Sequence, residues 1–253
     1  MVVLDRPNPL GGVTYEGGLM EPGYESMVGS CRIPFRSGLT IGEAALYVNA
    51  QLEQPCDLQV IPLQGWNRNM EFPETGLPWI MPSPNMPTMN SVRVYAGTCL
   101  FEGTNVSEGR GTTRPFEYIG APWIDGHLVS KEMNQLGLPG LHVQPTYFTP
   151  TFSKHQGELC GGVMLFVLDP SAYESVKSGL HLLACVQRLY PEQFAWLPPY
   201  REGGRSFIDL LTGSDELRTT LHESGGLERI DLKWNEQMEE WGLIRQPFLL
   251  YKE

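Results

Sequence analysis

Residues 40–63 read TIGEAALYVNAQLEQPCDLQVIPL, and their patterning decides the fold class. Thr40 and Glu43 stand at the spacing of a capping box, in which a hydroxyl and a carboxylate satisfy the first free amides of a helix. Ala45, Leu46, Val48 and Leu52 follow at helical spacing, so residues 44–52 are predicted to be helical. Residues 57–63, DLQVIPL, then read as a strand. Upstream, the apolar residues 2–4 read as a buried strand delivered into the polar loop DRPNP, residues 5–9. Strand, helix and strand in alternation predict an α/β chain of mixed α+β layers.

The same alternation continues downstream. Residues 65–87 form a Pro-, Trp- and Asn-rich stretch without periodicity, the composition of a long ordered loop. Asp125 can cap a helix over residues 126–136 that Gly137 and Pro139 end. Residues 141–148 and 162–168 read as strands, and Asp169-Pro170 predicts the opening of a helix that runs to Leu189. A short helix is expected from Ser214-Asp215-Glu216, and an amphipathic one over residues 227–241. With no repeat and no flexible linker, the whole of residues 1–253 is read as one domain.

Composition narrows the function classes. The 253 residues are 41% hydrophobic and 19% charged, which is globular composition. Eighteen Lys and Arg against 29 Asp and Glu leave a net charge of -11, which argues against a nucleic-acid partner, since phosphate binding needs clustered basic surface. No apolar run approaches the length of a transmembrane segment, and residues 1–9 do not read as a secretory leader. Five cysteines without a CxxC pair read mostly as small buried hydrophobes. His155, Glu158 and Cys160 lie close in sequence but read as structural or surface residues, so no metal and no cofactor is expected. Phosphate-loop, dinucleotide, zinc-protease and nucleophile-elbow signatures are absent.

One stretch stands out chemically: residues 101–118, FEGTNVSEGRGTTRPFEY. Gly103, Gly109 and Gly111 permit tight turns and close approach of a ligand. Arg110 and Arg114 can hold a carboxylate, Glu108 and Glu117 supply acids, and Thr104, Asn105 and Ser107 suit sugar or amide groups. The alternative is a surface loop held by its own salt bridges. Three further polar segments share this style. Arg6 and Asn8 follow the first strand, Asn85 stands between prolines in SPNMPT, and Lys154 follows Phe148 and Phe152, two rings read as core.

These segments in this order, DRPNP, IPFRSGLTIGE, GLPWIMPSPNMPT, GTCLFEGTNVSEGRGTTRPFEYIGAPWID, YFTPTFSKHQGELCGGV and FIDLLTGSDELR, resemble the bacterial exo-β-N-acetylmuramidase family across essentially the whole chain. The resemblance implies a glycoside hydrolase that removes terminal β-linked N-acetylmuramic acid from the non-reducing end of peptidoglycan fragments, in cell-wall turnover and recycling. Members of that family are often extracytoplasmic, whether periplasmic, secreted or lipid-anchored, although these residues carry no signal-peptide pattern. Family chains carry a Rossmann-like portion before DRPNP, whose Pro-Glu-His-Gly motif bears the favoured catalytic glutamate. No such motif occurs here, and the usual Arg-His-Gly before the capping box is Arg36-Ser37-Gly38. The expectation is therefore the C-terminal part of a two-subdomain glycosidase with a truncated Rossmann-like portion, residues 1–30 being the junction. The competing expectations are an inactive truncated or split-enzyme fragment that binds saccharide, and a different hydrolase on the same scaffold. A separate chain carrying the N-terminal half, or a second copy of this chain, is the expected protein partner.

Carried onto this sequence, the resemblance implies specific roles. The lactyl carboxylate of N-acetylmuramic acid calls for a cation, with Arg110 first and Arg6 or Arg114 behind it. The acetamido group calls for Asn105, Asn85 or Ser107. Glu108 is the local candidate for an assisting acid, base or orienting group. Asn8, Thr104, Glu117 and Lys154 complete the expected binding set.

Overall fold

The computed structural model describes residues 1–252, which divide into two compact units. The first unit comprises Met1–Gly18, Ile33–Ile80 and the C-terminal residues from Trp234 onward. It is built on a parallel pair, β1 (Val2–Leu4) and β2 (Gln59–Ile61), with Val3 opposite Val60. Between them runs α1 (Ile41–Gln51), whose capping box forms as predicted: the Thr40 hydroxyl accepts from the Glu43 amide, and the Glu43 carboxylate accepts from the Thr40 amide. Glu43 is fully buried because it also takes the Arg68 guanidinium at 2.6 Å and the Leu250 amide at 2.8 Å. Asp5, leaving β1, accepts from the Gly42 amide and the Thr40 hydroxyl, which ties strand to helix. Around them, Tyr47 packs edge-on against Trp241 and Phe248. Residues 2–4 are a strand as expected but not a buried one. Val2 and Leu4 are 61% and 62% exposed, because one partner strand covers a single edge and the pleat turns only Val3 inward.

The second unit comprises Leu19–Arg32 and Met81–Lys233. Its antiparallel sheet has three strands, β3 (Tyr118–Ala121), β4 (Leu141–Phe148) and β5 (Cys160–Val167), with β5 in the centre. Two helices join the sheet in a shared core: α2 (Met89–Thr98) and α4 (Ser175–Leu189). They cross at glycines so closely that a side-chain carbon on Gly179 would lie 2.3 Å from the Gly97 carbonyl oxygen. Between β3 and β4, Asp125 caps α3 (Gly126–Gln135) as expected. Leu100, Phe101, Ile119, Leu165, Leu180 and Leu183 fill this core at 1% exposure or less. Two short helices, α5 (Phe207–Thr212) and α6 (Glu216–Thr220), precede α7 (Gly226–Arg245), whose last residues belong to the first unit.

Three elements differ from the predicted pattern. Helix α4 opens at Ser175 and not at Pro170; Asp169 accepts from the amide and hydroxyl of Ser171 and closes a turn ahead of the helix. Helix α2 was not predicted, because MNSVRVYAGT carries no apolar stripe and its cap, Thr88, lacks the glutamate of a capping box. Phe148 is core as expected, whereas Phe152 is 52% exposed, on a loop held by backbone bonds to Gly111. No described helix is long and apolar enough to cross a membrane.

Candidate functional site

The chemically dense stretch sits in the second unit, between α2 and β3. It begins as a 3-10 turn, Cys99–Gly103, and then loops back toward the sheet. Gly109 and Gly111 adopt φ of 76° and 81°, the left-handed region that favours glycine. A side-chain carbon at Gly111 would lie 2.5 Å from the Phe152 carbonyl oxygen. That close approach draws the loop carrying Lys154 against the loop carrying Glu108.

The result is a chain of alternating charges. Lys154 Nζ lies 2.9 Å from Glu108 Oε2, Arg110 Nε lies 3.1 Å from Glu108 Oε1, and Arg110 Nη2 donates to Glu102 Oε2 at 2.8 Å. Lys154 also donates to the carbonyls of Phe101 and Val106, which uses all three of its hydrogens. Burial lowers its pKa below the usual lysine value, and Glu108 opposes that shift. The Arg110 guanidinium lies 5.0 Å above the Phe116 ring, which Tyr95 meets edge-on. Burial, aided by Cys99 and Glu102, pushes the Tyr95 hydroxyl well above the usual tyrosine range.

The cluster separates buried machinery from exposed edge. Both Glu108 oxygens are occupied by cations, and its side chain is 3% exposed. Arg110 and Glu102 are 28% and 18% exposed; Arg110 Nη1 and Glu102 Oε1 have no partner among the described residues. Two cations balance two carboxylates, so the exposed edge offers a donor beside an acceptor on a neutral cluster. Glu102 is the functional candidate that sequence reasoning missed. The signal was a third carboxylate beside Phe101, uninformative until the 3-10 turn aims it at Arg110.

The other expected residues serve the scaffold or lie apart. Thr104 donates to the Phe101 carbonyl and accepts from the Val106 amide, and the Ser107 hydroxyl accepts from the Gly109 amide. Asn105 donates to the Gln193 carbonyl and accepts from the Ala195 amide, so its side chain braces residues 193–195. Glu117 is fully buried and takes four donors: Thr88, Ser91, Asn90 and Arg114. It thereby fastens the start of α2 to β3. Asn85 is half-buried in the same unit. Arg6 and Asn8 belong to the first unit, where Arg6 is exposed and Asn8 closes a turn by accepting from the Leu10 amide and donating to the Leu39 carbonyl. His155 contacts the Asn105 carbonyl through Nε2 at 2.8 Å, a scaffold contact. The described residues hold no group of three potential metal ligands.

Comparison with known proteins agrees with these motifs. A family model described as exo-beta-N-acetylmuramidase NamZ, C-terminal, matches residues 93–251, and its N-terminal counterpart matches residues 1–90. The chain therefore carries residues of both family parts, where the sequence reading assigned it to the C-terminal part with a truncated N-terminal portion. It is 44% identical over 250 residues to a Bacillus subtilis (strain 168) protein, peptidoglycan beta-N-acetylmuramidase NamZ, covering 99% of this chain and 59% of that one. Two crystal structures of DUF1343 family proteins from Bacteroides fragilis NCTC 9343 superpose with TM-scores of 0.90 and 0.75, at 31% and 32% identity. They cover 99% and 100% of this chain, and in each case 66% of the neighbour. The chain thus spans about three fifths to two thirds of the length of the relatives it matches. With both family models aligned end to end along it, the chain belongs to the exo-β-N-acetylmuramidase NamZ family.

Proposed function

We propose that the protein is an exo-acting glycoside hydrolase that releases terminal β-linked N-acetylmuramic acid from peptidoglycan fragments. The observation that carries this reading is the 44% identity to a peptidoglycan β-N-acetylmuramidase across 99% of the chain. The exposed edge of the charge cluster suits such a substrate. Arg110 Nη1 donates to the lactyl carboxylate, the group that separates N-acetylmuramic acid from N-acetylglucosamine. Glu108 acts as an orienting group: with both oxygens held by cations, it fixes Arg110 and Lys154 and does not touch the sugar. Hydrolysis of the glycosidic bond uses a pair of carboxyl groups, or one carboxyl and the substrate's own acetamido oxygen. Of the three carboxylates in this stretch, Glu102 is the one with an oxygen left for that chemistry. The test is release of the chromophore from a chromogenic β-N-acetylmuramide, alongside the matching N-acetylglucosaminide. Preferential hydrolysis of the muramide is expected. Equal turnover of both, or of the glucosaminide alone, overturns the reading.

A further inference from the structure

A cavity in the second unit adjoins residues 193–195, which the Asn105 side chain braces. Its volume is about 610 Å³, within the range of ligand pockets. Its floor is one face of α4, where His181, Ala184, Cys185 and Arg188 recur at helical spacing. One wall is aromatic: Phe194 and Trp196 meet edge-on with ring centroids 5.0 Å apart, and both are half-buried. A further part of the lining comes from the turn between α6 and α7, with His222 and Ser224, and from Glu228 in the first turn of α7. The aromatic wall follows directly from the chain around Asn105. The Asn105 side chain bonds residues 193 and 195, the Leu197 amide donates to the Gly103 carbonyl, and Thr104 bridges to Trp196 through the backbone.

From these walls we infer that the cavity is an accessory saccharide site, taking a neutral N-acetylhexosamine unit of a glycan. Three features select that chemistry. The cavity supplies ring faces and apolar groups from Trp196, Phe194, Leu136 and Leu227 on one hand, and hydrogen-bonding groups from Gln187, His222 and Ser224 on the other. A sugar ring presents the same combination, with apolar faces and polar edges. Two of its three lining carboxylates are paired, Glu132 with Arg188 at 2.7 Å and Glu223 with Arg229, and its one arginine is thereby taken, so no free guanidinium or ammonium in the lining calls for an anionic ligand. Burial keeps His181 below the usual histidine pKa, with Asp231, Glu228 and Glu174 opposing and Lys177 adding to the effect. At neutral pH its ring is a neutral partner for a hydroxyl or acetamide. The inference rests on the glycan-processing reading above, and adds to it a place where a unit of the polymer other than the terminal residue is held.

The experiment is isothermal titration of the protein with tri-N-acetylchitotriose, an oligomer without a lactyl group. Saturable binding is expected. It should weaken about tenfold, roughly 1.4 kcal/mol, in Trp196→Ala and in the cavity-filling Ala184→Phe, and persist in Arg110→Ala. Gln187→Ala, which removes one polar group from the lining, should weaken binding by a smaller factor. Unfolding midpoints of all variants separate loss of the site from loss of the fold. Absence of saturable binding overturns the inference. So does binding that Arg110→Ala abolishes, or that Ala184→Phe and Gln187→Ala both leave unchanged. Hydrolysis of the chromogenic muramide is read separately. Muramide turnover without trimer binding sinks the accessory site alone, and trimer binding without muramide turnover sinks the proposed reaction alone.

Discussion

Arg110 is held along one edge by two carboxylates and leaves Nη1 open. Those carboxylates cost it little as a recognition group, because they fix the guanidinium plane in advance and spare it the entropy of ordering on binding. A charge-assisted hydrogen bond is worth about 1.5–3 kcal/mol. Arg110→Ala is therefore expected to lower kcat/KM for the muramide by about ten- to a hundredfold, with a much smaller effect on the glucosaminide. Arg110→Lys should fall between, because it keeps charge and loses the planar fork. Comparing the two substrates checks this; equal losses on both would move the lactyl contact elsewhere. Glu117 illustrates the opposite use of an acid. Four donors occupy it, so Glu117→Gln leaves donors facing an amide that can accept through only one atom. A loss of folding stability is expected, measured by urea unfolding, with the substrate preference intact in the folded fraction.

At the scale of elements, the crossing of α2 and α4 is the tightest joint in the second unit. Gly179→Ala places a carbon within 2.4 Å of the Gly97 backbone, so the helices must part. Overpacking of this kind costs about 1–3 kcal/mol. A urea midpoint unchanged from wild type would show that the helices can separate freely. Helix α4 also carries a pH response. His181 has its folded pKa depressed by burial, with the unfolded value at about 6.5. Between those two values the unfolded chain binds more protons, so stability rises with pH through that window and is lost as pH falls through it. His181→Gln should flatten the dependence of Tm on pH just below about 6.5. A dependence identical to wild type would assign it to other groups.

Over the whole molecule, thiol accessibility offers a direct check of the packing. Cys56 is exposed, Cys31 half-exposed, and Cys99, Cys160 and Cys185 are buried. Burial pushes the Cys160 and Cys185 thiols up to about 11. Ellman's reagent should label Cys56 at once and reach the three buried thiols only in denaturant; prompt labelling of Cys99 would contradict the core. Much of the fold was legible from local rules. The Thr40 box, the Asp125 cap and the strands β4 and β5 announce themselves through caps and alternation. What escaped was set by tertiary partners. Helix α2 forms because Glu117, distant in sequence, seats its first turn, and Val2 and Leu4 stay exposed because the pleat turns only Val3 inward, which a uniformly apolar run does not report. The site divides the same way. Residue chemistry marked a loop whose charged side chains the fold does bring together, but it credited Thr104 and Asn105 with ligand donors that backbone carbonyls take and Ser107 with an oxygen that the Gly109 amide occupies. Glu102 was passed over because a single 3-10 turn decides where it points.

The closing of the first unit by its last residues has a consequence for biosynthesis. Glu43 waits for the Leu250 amide, the Lys252 carbonyl accepts from the Arg68 amide, and the Tyr251 hydroxyl bridges Asp5 and the Leu63 amide. A ribosome adds about 5–20 residues per second, so the stretch ending at residue 80 precedes those partners by roughly 10–35 seconds. During that interval Glu43, Asp5 and the backbone amides of Leu63 and Arg68 lack these partners, while residues 81–233 emerge and can condense on one another. Within these residues, the unit that contains β1 closes only after the other has emerged, so its buried acid is satisfied late.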